Sequence, residues 1–176
     1  MKKYVASTPQ AEVIGTALLA YDKSIERQTF ESILHEYGLS QIDPARWYPQ
    51  QLTLDVQKTI KAQPGSSLTL VSIGMEIINT AVFPPMNSLE DAVKAFAASY
   101  PMNFRHQSPH DLIHAQLCGP GYIQVTNSSP HSDEMIYGYV YALVHRFKPE
   151  GSHPTIEFAD LNEVDGDGDT IINVTH

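Results

Sequence analysis

Residues 112–147, LIHAQLCGPGYIQVTNSSPHSDEMIYGYVYALVHRF, decide the fold, because the hydrophobic period changes within them. Residues 112–118 and 122–126 are two short runs on either side of Gly119-Pro120-Gly121, which reads as a β-hairpin. The next run follows a helical period, with Ile136, Val140, Leu143, Val144 and Phe147 on one face. Asp133 and Glu134 open this helix while His145, Arg146 and Lys148 close it, so its charges oppose the dipole at both ends. A hairpin followed at once by an amphipathic helix predicts a sheet with a helix laid across it.

Towards the C-terminus, residues 155–161 and 170–175 flank Val164-Asp165-Gly166-Asp167-Gly168-Asp169 and read as a second hairpin. Towards the N-terminus the pattern is helical throughout. Residues 10–22 carry Val13, Ile14, Ala17, Leu18 and Tyr21 at helical spacing, and Gly15 weakens that run. Thr29 is placed to cap a helix with the stripe Phe30, Ile33, Leu34 and Tyr37, which Gly38 ends in a left-handed turn with Leu39 packing back. Leu52, Val56 and Ile60 form a narrower stripe, ended by Pro64-Gly65. Residues 67–82 are apolar nearly all round, which predicts a buried central helix stopped by Phe83-Pro84-Pro85. Ser88 caps the next helix, and its core face runs from Leu89 through Ala92, Val93, Phe96 and Ala97 to Tyr100. The expected architecture is a single α+β domain over residues 1–176, a helical layer packed on one face of a small antiparallel β-sheet.

Composition narrows the function classes. Apolar residues make up 42% and charged residues 18%, the balance of a packed domain rather than a disordered chain. Twenty acidic against eleven basic residues give a net charge of −9, and the basic ones do not cluster beyond Lys2-Lys3 and Arg146-Phe147-Lys148. Nucleic acid is therefore not an expected partner, and anionic membranes are disfavoured. No stretch approaches the roughly 20 apolar residues that span a bilayer. Ser7-Thr8-Pro9-Gln10 stands where the apolar part of a signal peptide would be. The expected location is cytoplasmic. The lone Cys118 allows neither an internal disulfide nor a cysteine-built zinc cage.

Candidate chemistry is sparse. Asp165, Asp167 and Asp169 alternate like the start of a calcium loop, but Thr170 stands where the sixth-position glycine belongs and His176 where the twelfth-position glutamate belongs. A hairpin turn explains the same residues. His106, His110 and His114 are spaced by four, which would put them on one face and suit a metal or an axial haem position. Pro109 interrupts that series, and no carboxylate or cysteine has ligand spacing to all three. On one strand His114 and Cys118 lie roughly 13 Å apart, too far for a nucleophile and its base, and a buried structural thiol is the expected role of Cys118. Glu90-Asp91 and Asp133-Glu134 read as solvated helix starts. There is no serine nucleophile elbow, phosphate-cradling glycine loop or His-Glu zinc helix, so neither catalysis nor a cofactor is expected.

Several short phrases resemble one superfamily over roughly residues 25–175. They are Ser88-Leu89-Glu90-Asp91-Ala92 leading to Tyr100, then Phe104-Arg105-His106, Ser129-Pro130 before a helix containing Gly138, and Gly168-Asp169 before the last strand. The superfamily includes the four-vinyl-reductase domain, TRAPP transport-particle subunits and the haem nitric-oxide-binding domain. This chain departs from it in two ways. Bacterial members often carry cysteines near positions held here by Ser129, Asn162 and Ile172, and the tyrosine–serine–arginine signature of the haem binders is absent. The resemblance implies a non-catalytic sensory domain, commonly dimeric, that binds a small apolar molecule or lipid. A pocket is expected between the helical layer and the sheet, with Trp47, Tyr100, Tyr137 and Tyr141 near it and His114 beside it. One alternative is a homodimeric scaffold that associates through the helix 67–82 and binds nothing small; a further one is a haem or metal sensor built on His106, His110 and His114. The resemblance also places Gly138 where helix and sheet approach too closely for a β-carbon.

Overall fold

The computed structural model describes residues 1–176. In chain order the elements are β1 (Glu12–Ile14), α1 (Gly15–Lys23), α2 (Arg27–Glu36), β2 (Trp47–Pro49), α3 (Gln50–Lys61), α4 (Ser66–Thr80) and α5 (Leu89–Ser99). A 3-10 turn (Tyr100–Asn103) then leads into β3 (Phe104–Arg105), β4 (Ile113–Gly119), β5 (Tyr122–Asn127), α6 (Asp133–Phe147), β6 (Thr155–Phe158) and β7 (Thr170–Thr175). The main sheet is antiparallel with order β4-β5-β7-β6, so both expected hairpins form and join through β5 and β7. Ile123 and Val125 of β5 alternate with wetter neighbours, as do Ile172 and Val174 of β7, so only one face is packed. The α+β expectation, with helices on one face of an antiparallel sheet, therefore holds.

The N-terminal helix reading is corrected in its first part. Residues 12–14 form β1, which pairs with β2 on one side and β3 on the other in a second, three-stranded sheet. Its partners lie far along the chain, so no local period announces it. The helix starts only at Gly15. Thr29 does not cap α2: the helix begins at Arg27, and the Thr29 hydroxyl donates back to the Glu26 carbonyl at 2.7 Å. Gly38 ends this element as expected, at φ +71°, with the Leu39 amide reaching the Leu34 carbonyl at 2.7 Å. Ser88 and Ser132 cap α5 and α6 by accepting from the amides of Asp91 and Met135.

The centre of the molecule is the crossing of α4 and α6. At Gly138 an added β-carbon would strike the Val71 carbonyl oxygen and lie 3.1 Å from Gly74 Cα. At Gly74 it would strike the Met135 carbonyl oxygen. Two glycines facing each other let the two backbones touch. The expected lack of room at Gly138 is thus real, but the close neighbour is α4 and not the sheet. Around this contact Leu70, Ile73 and Ile78 of α4 pack with Met135, Ile136 and Val140 of α6 in one core. The apolar 67–82 stretch is not buried all round, since Leu68 is 76% and Val82 97% exposed. Its Leu70, Ile73 and Ile78 are packed in the chain's own core. No helix is long and apolar enough to cross a membrane.

Candidate ligand-binding site

The start of α6 is a buried polar knot, not a solvated face. Asp133 is fully buried and Glu134 nearly so. Asp133 Oδ1 accepts from Lys3 Nζ at 2.9 Å and Asn127 Nδ2 at 2.7 Å, while Oδ2 accepts from the Asp165 amide at 2.6 Å and the Thr170 hydroxyl at 2.8 Å. Lys61 bridges Glu134 and Asp165, and the Asp165 carboxylate also accepts from the Asp133 amide at 3.0 Å. Burial alone would raise the pKa of Asp165, but the Lys61 hydrogen bond and the Asp133 amide hold it below the ordinary carboxylate value. The first carboxylate of the acidic turn is therefore committed to Lys61 and to the backbone of α6. This explains Asp165 without calcium.

An apolar cavity of about 320 Å³ opens between α1, the end of α4 and α5. Ala17 and Ala20 form its floor, Ile77 and Ala81 one wall, and Ala95 and Phe96 the other. Thr16, Thr80, Ser99 and Asn103 supply its polar groups. The segment after α4 closes it with Phe83, and α6 pins that segment. The Arg146 guanidinium lies 5.0 Å from the Phe83 ring centroid and donates to the carbonyls of Ile78 at 3.0 Å and Ala81 at 3.2 Å. Phe147 meets Phe83 edge to face at 5.3 Å.

Ala17 and Ile77 also wall a much smaller inner space of about 30 Å³, room for a water at most. His131 looks into it beside Tyr21, Phe104, Met135 and Tyr139. The Gln57 amide oxygen accepts from the Ser132 amide at 3.1 Å, which fixes the amide's orientation. Gln57 Nε2 then donates to His131 Nδ1 at 2.9 Å, so Nδ1 is the acceptor and the ring proton sits on Nε2. Burial pushes the His131 pKa down to about 4, with Asp111 opposing the shift and Lys3 adding to it. At neutral pH this imidazole is uncharged.

A second groove, about 370 Å³, lies between α6 and β6 and brings Tyr137 and Tyr141 together with His145, Lys148 and His153. The other residues picked out by sequence lie apart from both spaces. Trp47 sits on β2 with the Arg105 guanidinium 4.6 Å above its ring. Tyr100 is buried and donates to Asp111 Oδ1 at 2.9 Å, while Asp111 Oδ2 accepts from Gln50 at 2.6 Å. His114 is exposed on β4. The four-residue histidine spacing does not become a shared face, because His106 lies in a bend at φ +58°, His110 in a turn and His114 on a strand. No group of three His, Cys, Asp or Glu side chains could hold a metal ion. Cys118 is exposed at the end of β4 and not buried, since the hairpin's wet edge, not the core, receives it. The cavity walls escaped the sequence reading, and the one signal was small residues on facing elements, Ala17 and Ala20 on α1 and Ala95 on α5. Nothing in the sequence singled out His131, whose burial depends on Gln57, Tyr100 and Phe104 from distant elements.

No protein-family model matches the chain, and no curated protein matches it. Solved structures do. An H-NOX protein from S. oneidensis in the Fe(II)NO ligation state superposes with a TM-score of 0.66 at 13% identity, covering 92% of this chain and 97% of that one. A mutant H-NOX protein from S. oneidensis in the Fe(II) ligation state gives 0.65 at 12%, covering 92% and 95%. An oxygen-binding H-NOX domain related to soluble guanylate cyclases gives 0.59 at 12%, covering 92% and 90%. The chain has the H-NOX fold. H-NOX denotes haem nitric-oxide/oxygen-binding domains, and at 12–13% identity the likeness to them is one of fold; nothing here supports the four-vinyl-reductase or TRAPP resemblance.

The residues present do not fit a haem in this H-NOX fold. The cavity between α1, α4 and α5 is lined by no histidine, cysteine, methionine or tyrosine that would ligate iron, and the histidines and tyrosines of the α6–β6 groove lie outside it. The one buried histidine faces a space of about 30 Å³, and its Nδ1 lone pair is taken by Gln57. Its Nε2 carries the proton that an axial ligand would have to give up.

Proposed function

We propose that this chain is a non-catalytic sensory domain that has kept the ligand-binding habit of the H-NOX fold without the haem. Its ligand is a small apolar molecule or a lipid chain, seated between α1, α4 and α5. The observation that carries this reading is the cavity of about 320 Å³ walled by alanines, Ile77, Phe83 and Phe96. That is the lower end of the volume range of small-molecule sites, which combine apolar walls with a few polar groups. Thr16, Ser99 and Asn103 stand where a hydroxyl or carboxyl head would be held. The route for a signal is short, because the cavity wall continues α4, and α4 touches α6 backbone to backbone at Gly74 and Gly138. Arg146 ties the last turn of α4 to the end of α6, so a ligand that moves one moves the other.

A titration with N-phenyl-1-naphthylamine, a neutral apolar fluorophore, tests this site. Saturable binding of one probe per chain is expected, lost when Ala95→Trp fills the cavity. A parent that leaves the probe dark, or an Ala95→Trp variant that binds as the parent does, removes the proposed site.

A further inference from the structure

The groove between α6 and β6 has a chemistry of its own. Tyr137, Tyr141 and His145 recur every four residues and so line one edge of α6. Their rings form a ladder: Tyr137 and Tyr141 lie 6.4 Å apart and 26° from parallel, and Tyr141 and His145 lie 4.3 Å apart. Phe158 of β6 backs the ladder at 5.4 Å from Tyr137. The Tyr137 hydroxyl donates to the Ile156 carbonyl at 3.2 Å, so this ring is fixed before any ligand arrives. Beyond the rings the groove is basic. His145, Lys148 and His153 line it and no carboxylate does, in a chain whose net charge is −9. Lys148 Nζ donates to the Ser152 carbonyl at 3.2 Å, and it joins none of the chain's ion pairs. By strand alternation Glu157 sits on the face of β6 opposite Ile156 and Phe158.

We propose that this groove is a second ligand site, and that its ligand is a planar aromatic carboxylate. The arene stacks on Tyr137 and Tyr141, and its carboxylate meets the Lys148 ammonium at the far end. Two stacked rings, one of them anchored by a hydrogen bond, supply a rigid platform. An ammonium without an acidic partner supplies the charge-assisted contact. No residue of this groove lines the cavity between α1, α4 and α5, so the two sites stand or fall separately.

Isothermal titration calorimetry with 2-naphthoate, and with neutral 2-naphthamide as its control, decides the matter. One-to-one binding of the acid is expected, with the amide and the Lys148→Gln variant each weaker by about tenfold, the worth of one charge-assisted contact. Tyr141→Leu, with an unchanged circular dichroism spectrum, is expected to lose most of the binding. The proposal is overturned if 2-naphthoate gives no saturable heat at millimolar concentration, or if the amide binds as well as the acid. Binding that survives both groove variants and disappears in Ala95→Trp assigns the probe to the other cavity and overturns it as well.

Discussion

The two ends of the α4–α6 pair are built on opposite terms. At the start of α6 each oxygen of Asp133 accepts two hydrogen bonds, and Lys3, Asn127, Asp165 and Thr170 close around it from four parts of the chain. At the end of α4 apolar walls enclose about 320 Å³ that this chain's own side chains leave open. One end commits its buried polar groups to holding the fold; the other leaves apolar surface free to be covered. That contrast is the ground for seeking the ligand at the apolar end, because a carboxylate whose two oxygens each accept two hydrogen bonds has little left to offer a ligand, whereas open apolar walls do.

Breaking the polar end should have the largest effect. Asp133→Ala leaves the Lys3 ammonium buried without its partner, and loss of one member of a buried pair costs about 3–5 kcal/mol. Urea unfolding of this variant should show it; a cost below that of an ordinary surface change would mean the knot holds nothing. Next comes the crossing itself. Gly138→Leu is expected to cost about 1–3 kcal/mol or more through overpacking against Val71. Gly138→Ala should also destabilise, by less, although alanine is the better helix former. An alanine variant more stable than the parent would show that the two backbones do not meet as described.

The third effect depends on pH. His131 titrates near 4 when folded against about 6.5 when unfolded, so the unfolded chain binds the extra proton in that window. Stability from this site is complete above the unfolded value and is lost as pH falls from about 6.5 towards 4. Asp165 acts in the same direction but lower, because its folded pKa is depressed and its contribution fades only as pH falls below the ordinary carboxylate range. Urea midpoints across pH 7 to 4 should therefore drop for the parent, and drop less for His131→Asn. Equal slopes in the two proteins would place the proton elsewhere. The smallest effect on stability belongs to the ligand end. Ala95 is partly exposed at the cavity wall, so Ala95→Trp should leave stability within about 0.5 kcal/mol while abolishing probe binding. That split between stability and binding is the functional contrast between the two ends, reduced to one residue.

Much of the fold was legible because its signals are local. The hairpins, the Ser88 cap, the acidic start of α6 at Asp133 and Glu134 and the Gly38 terminator each depend on nearby residues. What escaped depends on distant partners. β1 becomes a strand only because residues 47–49 and 104–105 flank it, and Asp133 is buried only because Lys3 and Asn127 answer its charge. The same reason hides the cavity, since an alanine that faces open space and one that faces a neighbour look alike in sequence. Of the aromatic residues named from the sequence, Tyr137 and Tyr141 come together because they are four residues apart on one helix. Trp47, Tyr100 and His114 lie on separate elements, and nothing in their spacing tells whether the fold gathers them.

Native mass spectrometry of the purified chain puts the sharpest question to this molecule: whether its H-NOX fold holds a small apolar ligand where no haem fits. The expected spectrum shows a bound mass smaller than haem, one per chain, carried by the parent and missing from Ala95→Trp. A stoichiometric haem on the parent, lost when His131→Asn removes the buried imidazole, would contradict it.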